Sequence, residues 1–279
     1  MYKRQAIGNA VGSVSANTGI ILALSLFFLP VAIKREEYLF KNSLYIGTLL
    51  LLLISFKDRI FDRADCLLLL LAGILFLVEN VKNAVCKKEL SNSKRKKEDV
   101  ILHKKIQAGK NGEKKVKNKR SKWKEKQSSI WETFFWFCIG AVCIVAGSEL
   151  LVHSACKIAE ILHISEDIIS VTIVAMGTSL PELVTTVTAI LKKESSLSVG
   201  NIIGANMIDS AFILPICTLL SGEKLPVSLQ MAQIDMPLCI LISVLALLPM
   251  LIRQKIKRRD GILVFSIYAG YLLYICWAI

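Results

Sequence analysis

The sequence predicts an all-α membrane protein, a polytopic helix bundle of about eight transmembrane helices with inverted repeats, three helices in the first half and five in the second. Three observations predict this fold: an apolar composition, a motif that occurs twice, and a basic segment between the two halves. Hydrophobic residues make up 54% of the 279 residues, and they form runs that a soluble domain would not expose.

The apolar runs define the predicted helices in chain order. They cover residues 6–33, 43–56, 66–85, 130–152, 168–191, 197–220, 236–252 and 261–279. A helix needs about 20 residues to span a bilayer, so each run crosses or nearly crosses it, and the second run is short. The chain is therefore predicted to be an integral protein of the cell membrane, either an inner or a plasma membrane.

A basic segment separates the third run from the fourth. Between Cys86 and Gln127 there are seventeen Lys and Arg residues against five Asp and Glu. This composition cannot bury a core and predicts a mobile loop, which the positive-inside rule places in the cytoplasm. Contact with anionic lipid headgroups is an alternative role. Nucleic-acid binding is not expected, because only Trp123 offers a stacking surface.

The charges of the other loops agree with this orientation. Residues 34–41, 192–196 and 253–259 would share the cytoplasmic side, with net charges of +1, +1 and +5. Residues 157–167 and 221–235 would lie opposite, with net charges of −2 and −1. The alternation predicts eight crossings with both chain ends outside.

An internal repeat sets the architecture. Residues 8–17, Gly-Asn-Ala-Val-Gly-Ser-Val-Ser-Ala-Asn, align with residues 200–209, Gly-Asn-Ile-Ile-Gly-Ala-Asn-Met-Ile-Asp. Arg63 opens the third run as Arg259 opens the last. Five helix steps, an odd number, separate the matched helices, so the repeats are inverted. The motif glycines, including Gly200 and Gly204, are expected mainly to let helices pack closely.

The repeats predict three regions of unequal content. Residues 1–85 form an incomplete first repeat of three helices, residues 86–129 the basic cytoplasmic loop, and residues 130–279 a complete second repeat of five helices. The first half contains no counterpart of residues 130–191.

An acidic residue inside an apolar run marks the candidate site. Glu182 ends the sequence Val-Ala-Met-Gly-Thr-Ser-Leu-Pro-Glu within the run 168–191, where a charge costs about 3 kcal/mol on insertion scales. Pro181 predicts a helix break, which would free the carbonyls of residues 175–178 inside the membrane. Thr178 lies on the face of Glu182 and Ser179 beside it, and such oxygen atoms suit Ca²⁺ or Na⁺.

Simpler roles for these residues remain open. Glu182 could be an acid in the first turn of a helix after a proline, stabilised by the helix dipole. Asp209 could be an acid at a helix end, and Ser13 could make a helix–helix hydrogen bond in place of an ion contact.

The sequence Gly177-Thr-Ser-Leu-Pro-Glu182 together with Gly200-Asn-Ile-Ile-Gly-Ala-Asn206 resembles the cation/calcium exchanger superfamily, in particular the short prokaryotic sodium/calcium antiporters. The resemblance covers essentially the whole chain outside the basic segment. It implies two inverted five-helix repeats, so this chain would begin at the third helix and is expected to be an N-terminally shortened form.

The resemblance also implies a set of ion ligands. They fall on Glu182, Asp209, Asn17, Thr178, Ser179, Ser13 and the carbonyl oxygen of Ala175. Two positions depart from the family pattern: Ala205 replaces a serine ligand, and Val14 replaces an asparagine that Asn206 keeps in the other repeat.

By this resemblance the chain is predicted to be a calcium/sodium antiporter that works by alternating access, with Ca²⁺ and Na⁺ as its transported ions and no cofactor. A non-transporting relic or membrane assembly partner is an alternative, as is a Ca²⁺/H⁺ or K⁺-coupled cation exchanger. No enzymatic activity is expected, because the three histidines have no paired nucleophile or metal-spaced carboxylate. The eight cysteines are scattered and are interpreted as small core residues.

Overall fold

A computed structural model describes residues 2–29, 35–107, 130–162, 170–222 and 224–277. In these ranges the chain is almost entirely helical. It divides into two compact units: one contains residues 1–76 and 144–279, and the other contains residues 77–143. All the candidate ligands belong to the first unit.

The elements follow one another as a series of membrane-length helices, several of them interrupted by a π-helical segment. The first half contains α1 (Tyr2–Ala16), π1 (Asn17–Leu22), α2 (Ala23–Phe28), α3 (Arg35–Ser55), β1 (Ile60–Phe61) and α4 (Arg63–Gln107). The second half contains α5 (Ile130–Ile161), π2 (Ser170–Val174), α6 (Ala175–Thr178), α7 (Leu180–Leu191), α8 (Ser195–Ile208), π3 (Asp209–Ile213), α9 (Leu214–Ser221), β2 (Leu225–Pro226), π4 (Met231–Asp235), α10 (Met236–Arg253) and α11 (Arg258–Trp277). Strands β1 and β2 pair antiparallel, with Ile60 opposite Pro226.

The number of membrane-length helices confirms the predicted fold class. Seven helices in the described residues are long and apolar enough to cross a membrane, and the pair around the bend between α6 and α7 makes an eighth. Three of these precede the basic segment and five follow it. The short second run is part of α3, whose apolar stretch begins at Tyr38 and is therefore long enough to span.

The two motif copies adopt the same local structure. In each copy an α-helix changes to a π-helical segment at its last residue, and these residues are Asn17 and Asp209. A π-helical turn is rare and frequently marks a functional site. The repeat in the sequence is therefore also a repeat of backbone geometry.

Helices α4 and α11 begin with matching caps. Asp65 accepts a hydrogen bond at Oδ2 from the backbone N–H of Asp62 at 3.1 Å, and Asp260 accepts one at Oδ2 from the N–H of Lys257 at 2.9 Å. Each aspartate is the third residue of its helix and binds the amide that precedes the helix, as a capping-box acid does. Arg63 therefore corresponds to Arg258, one residue before the predicted Arg259.

The predicted loop 86–129 is wrong in its first part. Helix α4 continues beyond the apolar run as far as Gln107. The physical reason is that Lys, Arg and Glu are good helix formers and no glycine occurs before Gly109, so charge alone does not end the helix. Residues 108–129 lie outside the described residues.

Glycines mark the closest approaches between helices. A Cβ atom at Gly261 of α11 would lie 2.6 Å from the carbonyl oxygen of Ala23 and 3.0 Å from the nitrogen of Phe27. By contrast, a Cβ atom at Gly200 or Gly204 would meet no neighbouring atom within 4 Å. The close-packing role predicted for these two glycines is therefore wrong, because no described atom comes close enough to either position for a Cβ to hinder it.

We expect Gly261→Ala to destabilise the bundle. The added Cβ atom would press on the backbone of α2, and overpacking of this kind costs about 1–3 kcal/mol. Thermal unfolding of the purified protein in detergent should show a lower midpoint. Gly270→Ala on the same helix is the matched control, because nothing lies within 4 Å of a Cβ atom there. Equal midpoints for the two variants would contradict the packing assignment.

Candidate cation-binding site

The site is built around the predicted break in a membrane helix. Helices α6 and α7 meet at Ser179, whose φ of −87° and ψ of 0° depart from helical values, and the two parts are bent by 50°. Pro181 lies in the first turn of α7, where its missing N–H leaves no donor for the preceding turn. The break predicted from Pro181 is confirmed.

The carbonyl of Ala175 is not left free by this break. It accepts hydrogen bonds from the Ser179 backbone N–H at 3.2 Å and from the Thr178 hydroxyl at 3.1 Å. The expectation of free carbonyls is therefore wrong for Ala175, because a threonine side chain can turn back onto its own helix. A cation could reach this oxygen only if the Thr178 hydroxyl turned away.

A group of oxygen atoms lies where α1 contacts α6. The hydroxyl oxygens of Ser13 and Thr178 are 2.9 Å apart, and the Thr178 hydroxyl also lies 3.1 Å from Asn9 Oδ1. The set therefore has four oxygen atoms: Ser13 Oγ, Thr178 Oγ1, Asn9 Oδ1 and the Ala175 carbonyl oxygen. Between them the two hydroxyls supply only two protons. Each hydroxyl can donate only one hydrogen bond, so lone pairs outnumber donors. A hard cation binds such a set of oxygens.

The two acidic side chains form the charged part of the site. Glu182 lies in the first turn of α7, and Asp209 begins π3, which continues α8. Helices α7 and α8 pack against each other. Atom Oε2 of Glu182 is buried and has no hydrogen-bond partner in the described part of the chain. A carboxylate inside a membrane helix is costly while it is charged, and a bound cation would offset that cost.

Two neutral oxygen atoms are buried without a partner in the same way. They are Asn17 Oδ1 and Ser179 Oγ, each without a hydrogen bond to any described residue. A buried polar atom without a partner costs about 1–3 kcal/mol. The π1 segment that carries Asn17 packs against both α7 and α8. The structure thus brings these oxygens onto elements that contact one another.

Two asparagines of the site were missed by the sequence prediction. Asn9 Oδ1 accepts a hydrogen bond from the Thr178 hydroxyl, and Asn206 Oδ1 accepts one from Asn17 Nδ2 at 3.0 Å. The sequence signal for Asn9 was that the second position of the motif is an asparagine in both copies, Asn9 and Asn201. In the structure Asn201 also contacts a threonine of the broken helix: its Nδ2 atom donates to Thr185 Oγ1 at 2.8 Å.

The described residues contain no group of three or more His, Cys, Asp or Glu side chains that could hold a metal ion. The proposed ligands, two carboxylates together with neutral oxygens, carry less negative charge than such a group would. Because the number of carboxylates tunes affinity for Ca²⁺, this composition favours an ion that binds and leaves over one that is held permanently.

Comparison with known proteins gives independent evidence of the family to which the chain belongs. The family profile described as "Sodium/calcium exchanger protein" matches residues 3–81 and 132–277. The sodium/calcium exchanger MaX1 of Methanosarcina acetivorans is 34% identical over 141 residues, which are 50% of this chain and 39% of MaX1. The inner membrane protein YrbG of Escherichia coli is 26% identical over 280 residues, 98% of this chain and 77% of YrbG.

A solved structure is similar over almost the full chain. The sodium-calcium exchanger NCX_Mj, soaked with Na⁺ and Sr²⁺, superposes with a TM-score of 0.70 at 25% sequence identity. The match covers 97% of this chain and 76% of NCX_Mj.

We expect Asp209→Asn to stabilise the ion-free protein. The substitution removes a charge inside the membrane span Leu197–Ser221, where a carboxylate is costly, and a gain of about 1 kcal/mol would raise the midpoint by roughly 2–4 °C. Melting curves in detergent with a chelator and without Na⁺ measure it. Asp58→Asn is the control, because Asp58 is exposed and its charge is solvated. A lower midpoint for Asp209→Asn would contradict a cost of the charge at position 209.

Proposed function

Because the chain belongs to the sodium/calcium exchanger protein family, we propose that it is a secondary active transporter that moves Ca²⁺ against Na⁺ across the cell membrane by alternating access. The observation that carries the proposal is the half-buried Glu182 at a break in a membrane helix: its Oε2 atom is buried with no hydrogen-bond partner among the described residues, and Asp209 lies where the helix packed against α7 continues. An ionisable residue inside a membrane helix usually marks an ion pathway.

The proposed ligands divide into charged and neutral groups. Glu182 and Asp209 supply two negative charges, which balance one Ca²⁺. The neutral oxygens come from the side chains of Asn17, Thr178, Ser179 and Ser13, with the Ala175 carbonyl available when the Thr178 hydroxyl turns away. Ca²⁺ takes about six to eight oxygen ligands, so this mixed set suits it, and Na⁺ would compete for the same atoms.

The proposed mechanism couples binding to movement through charge. While the site is empty, two carboxylates remain unbalanced, and exposing or moving them through the apolar bundle is costly. Binding of cations removes this cost, so the loaded protein can change the side to which it opens. The break at Ser179 and the π-helical segments π1 and π3 are the parts of the backbone that can deform with least loss of regular helix.

We expect vesicles that contain the chain to take up ⁴⁵Ca²⁺ when an outward Na⁺ gradient is imposed, and Glu182→Gln to abolish this uptake while the variant still inserts into the membrane. The glutamine keeps the shape but removes a charge that balances Ca²⁺. Uptake measured with Na⁺, K⁺ and pH gradients in turn identifies the driving ion. Uptake by Glu182→Gln at the wild-type rate would contradict a ligand role for the carboxylate.

The same gradients distinguish the alternatives. Uptake driven by K⁺ or by a pH gradient, and not by Na⁺, would replace Na⁺ as the counter-ion. Absence of uptake with every gradient, in vesicles where the chain is inserted, would contradict transport and favour the assembly-partner role.

We further propose that the basic segment faces the cytoplasm, which places Cys86 at the inner end of the apolar span of α4 (Arg63–Cys86) and Cys276 at the outer end of α11. Both cysteines are exposed. A membrane-impermeant maleimide should label Cys276, and not Cys86, in right-side-out vesicles of variants that keep one cysteine each. Inside-out vesicles should reverse the result. Labelling of Cys86 from the outside would contradict this orientation.

A further inference from the structure

Asn206 is the centre of a buried hydrogen-bond network that reaches the proposed ion site. Its Nδ2 atom donates to Thr18 Oγ1 at 3.0 Å and to Tyr45 OH at 3.0 Å, and its Oδ1 atom accepts from Asn17 Nδ2 at 3.0 Å. Tyr45 OH in turn lies 2.9 Å from Ser243 Oγ. All five side chains are at most 1% exposed.

The network joins helices from both halves of the chain. Asn206 lies on α8, Thr18 and Asn17 lie on π1, Tyr45 on α3 and Ser243 on α10. The position that matches Asn206 in the first repeat is Val14, which has no polar atom. The network is therefore a feature of one repeat only, so the two sides of the site are supported differently.

The arrangement determines which end of the Asn17 amide is available to an ion. Both Nδ2 protons of Asn206 are used by Thr18 and Tyr45, so its Oδ1 is left to accept a proton from Asn17. The Asn17 Nδ2 atom is thereby held against Asn206, and Asn17 Oδ1 is left buried with no hydrogen-bond partner among the described residues. An amide can present either its donor or its acceptor end, and only the oxygen can bind a cation.

We propose that Asn206 and Tyr45 are positioning residues that fix the Asn17 amide with its oxygen toward the cation, and that they set the affinity of the site without touching the ion. This inference rests on the proposed function. Residues that orient a metal ligand typically change affinity about 10–100-fold when they are lost. Tyr45 contributes through Asn206, so its removal should have the smaller effect.

Equilibrium binding of ⁴⁵Ca²⁺ to the purified full chain in detergent tests the inference. Tyr45→Phe removes only the hydroxyl that holds Asn206, and it should weaken Ca²⁺ binding about threefold. Asn206→Ala should weaken it about tenfold or more. Thr48→Val is the matched control: Thr48 is buried on the same helix as Tyr45, and its hydroxyl donates to the Leu44 carbonyl of that helix at 2.8 Å. The control should bind as the wild type does.

A double-mutant cycle separates positioning from a general structural role. If Tyr45 acts through the orientation of Asn17, Tyr45→Phe should cause no further loss of affinity in a chain that already carries Asn17→Ala. A merely structural role would lower affinity by the same factor in both backgrounds, and that result would overturn the inference. If Asn206→Ala does not accumulate as folded protein, the Tyr45 cycle alone decides.

The outcomes distinguish the inference from the function on which it rests. Absence of Ca²⁺ binding by the wild-type chain would contradict the proposed function and the inference together. Wild-type binding that Tyr45→Phe leaves unchanged, at the level of Thr48→Val, would contradict the inference alone.

Discussion

The placement of two acidic residues, Glu182 and Asp209, inside a membrane bundle is the constraint on which the rest of the site depends. They lie in the first turn of α7 and at the start of π3, on two helices that pack together, and a charge at such a position is costly. Hydrophobic burial favours the bundle as a whole and gives no reason to hold two acids there. The buried Asn17 Oδ1 and Ser179 Oγ atoms, which have no partner among the described residues, add a further cost, and under the proposed function a bound cation would offset it.

The repeated motif accounts for part of the site. Each copy changes from α- to π-helix at its last motif residue, Asn17 in one copy and Asp209 in the other. The matching caps at Asp65 and Asp260 show that the correspondence extends to the helices at the ends of the two repeats. Val14, opposite Asn206 in the alignment, is where the relation is broken.

Local chemistry made part of the structure predictable from the sequence. Pro181 predicted the break, because a missing N–H acts on its own helix, and the spacing of Asn17 and Asp209 within the motif predicted their equivalence. Local patterns do not encode contacts between distant helices: Ser13 meets Thr178 across 165 positions of sequence, and only the family resemblance had placed the two in one ligand set. The length of α4 was mispredicted because helix propensity prevailed over charge. The open space at Gly200 and Gly204 was missed because glycine spacing indicates that helices can approach, not that one does.

The charge of the proposed site would constrain the proposed exchange. If both carboxylates are ionised, one Ca²⁺ would balance them, whereas one Na⁺ would leave a net negative charge in the bundle that would still oppose a change of the open side. The proposal therefore implies at least two Na⁺ ions for each Ca²⁺. The neutral oxygens make this substitution feasible, because hydroxyl and amide groups can serve either ion without a change of protonation. On this proposal the carboxylates would set how many ions must bind, and the neutral ligands, with Asn17 oriented by Asn206 as inferred above, would set how well each ion fits.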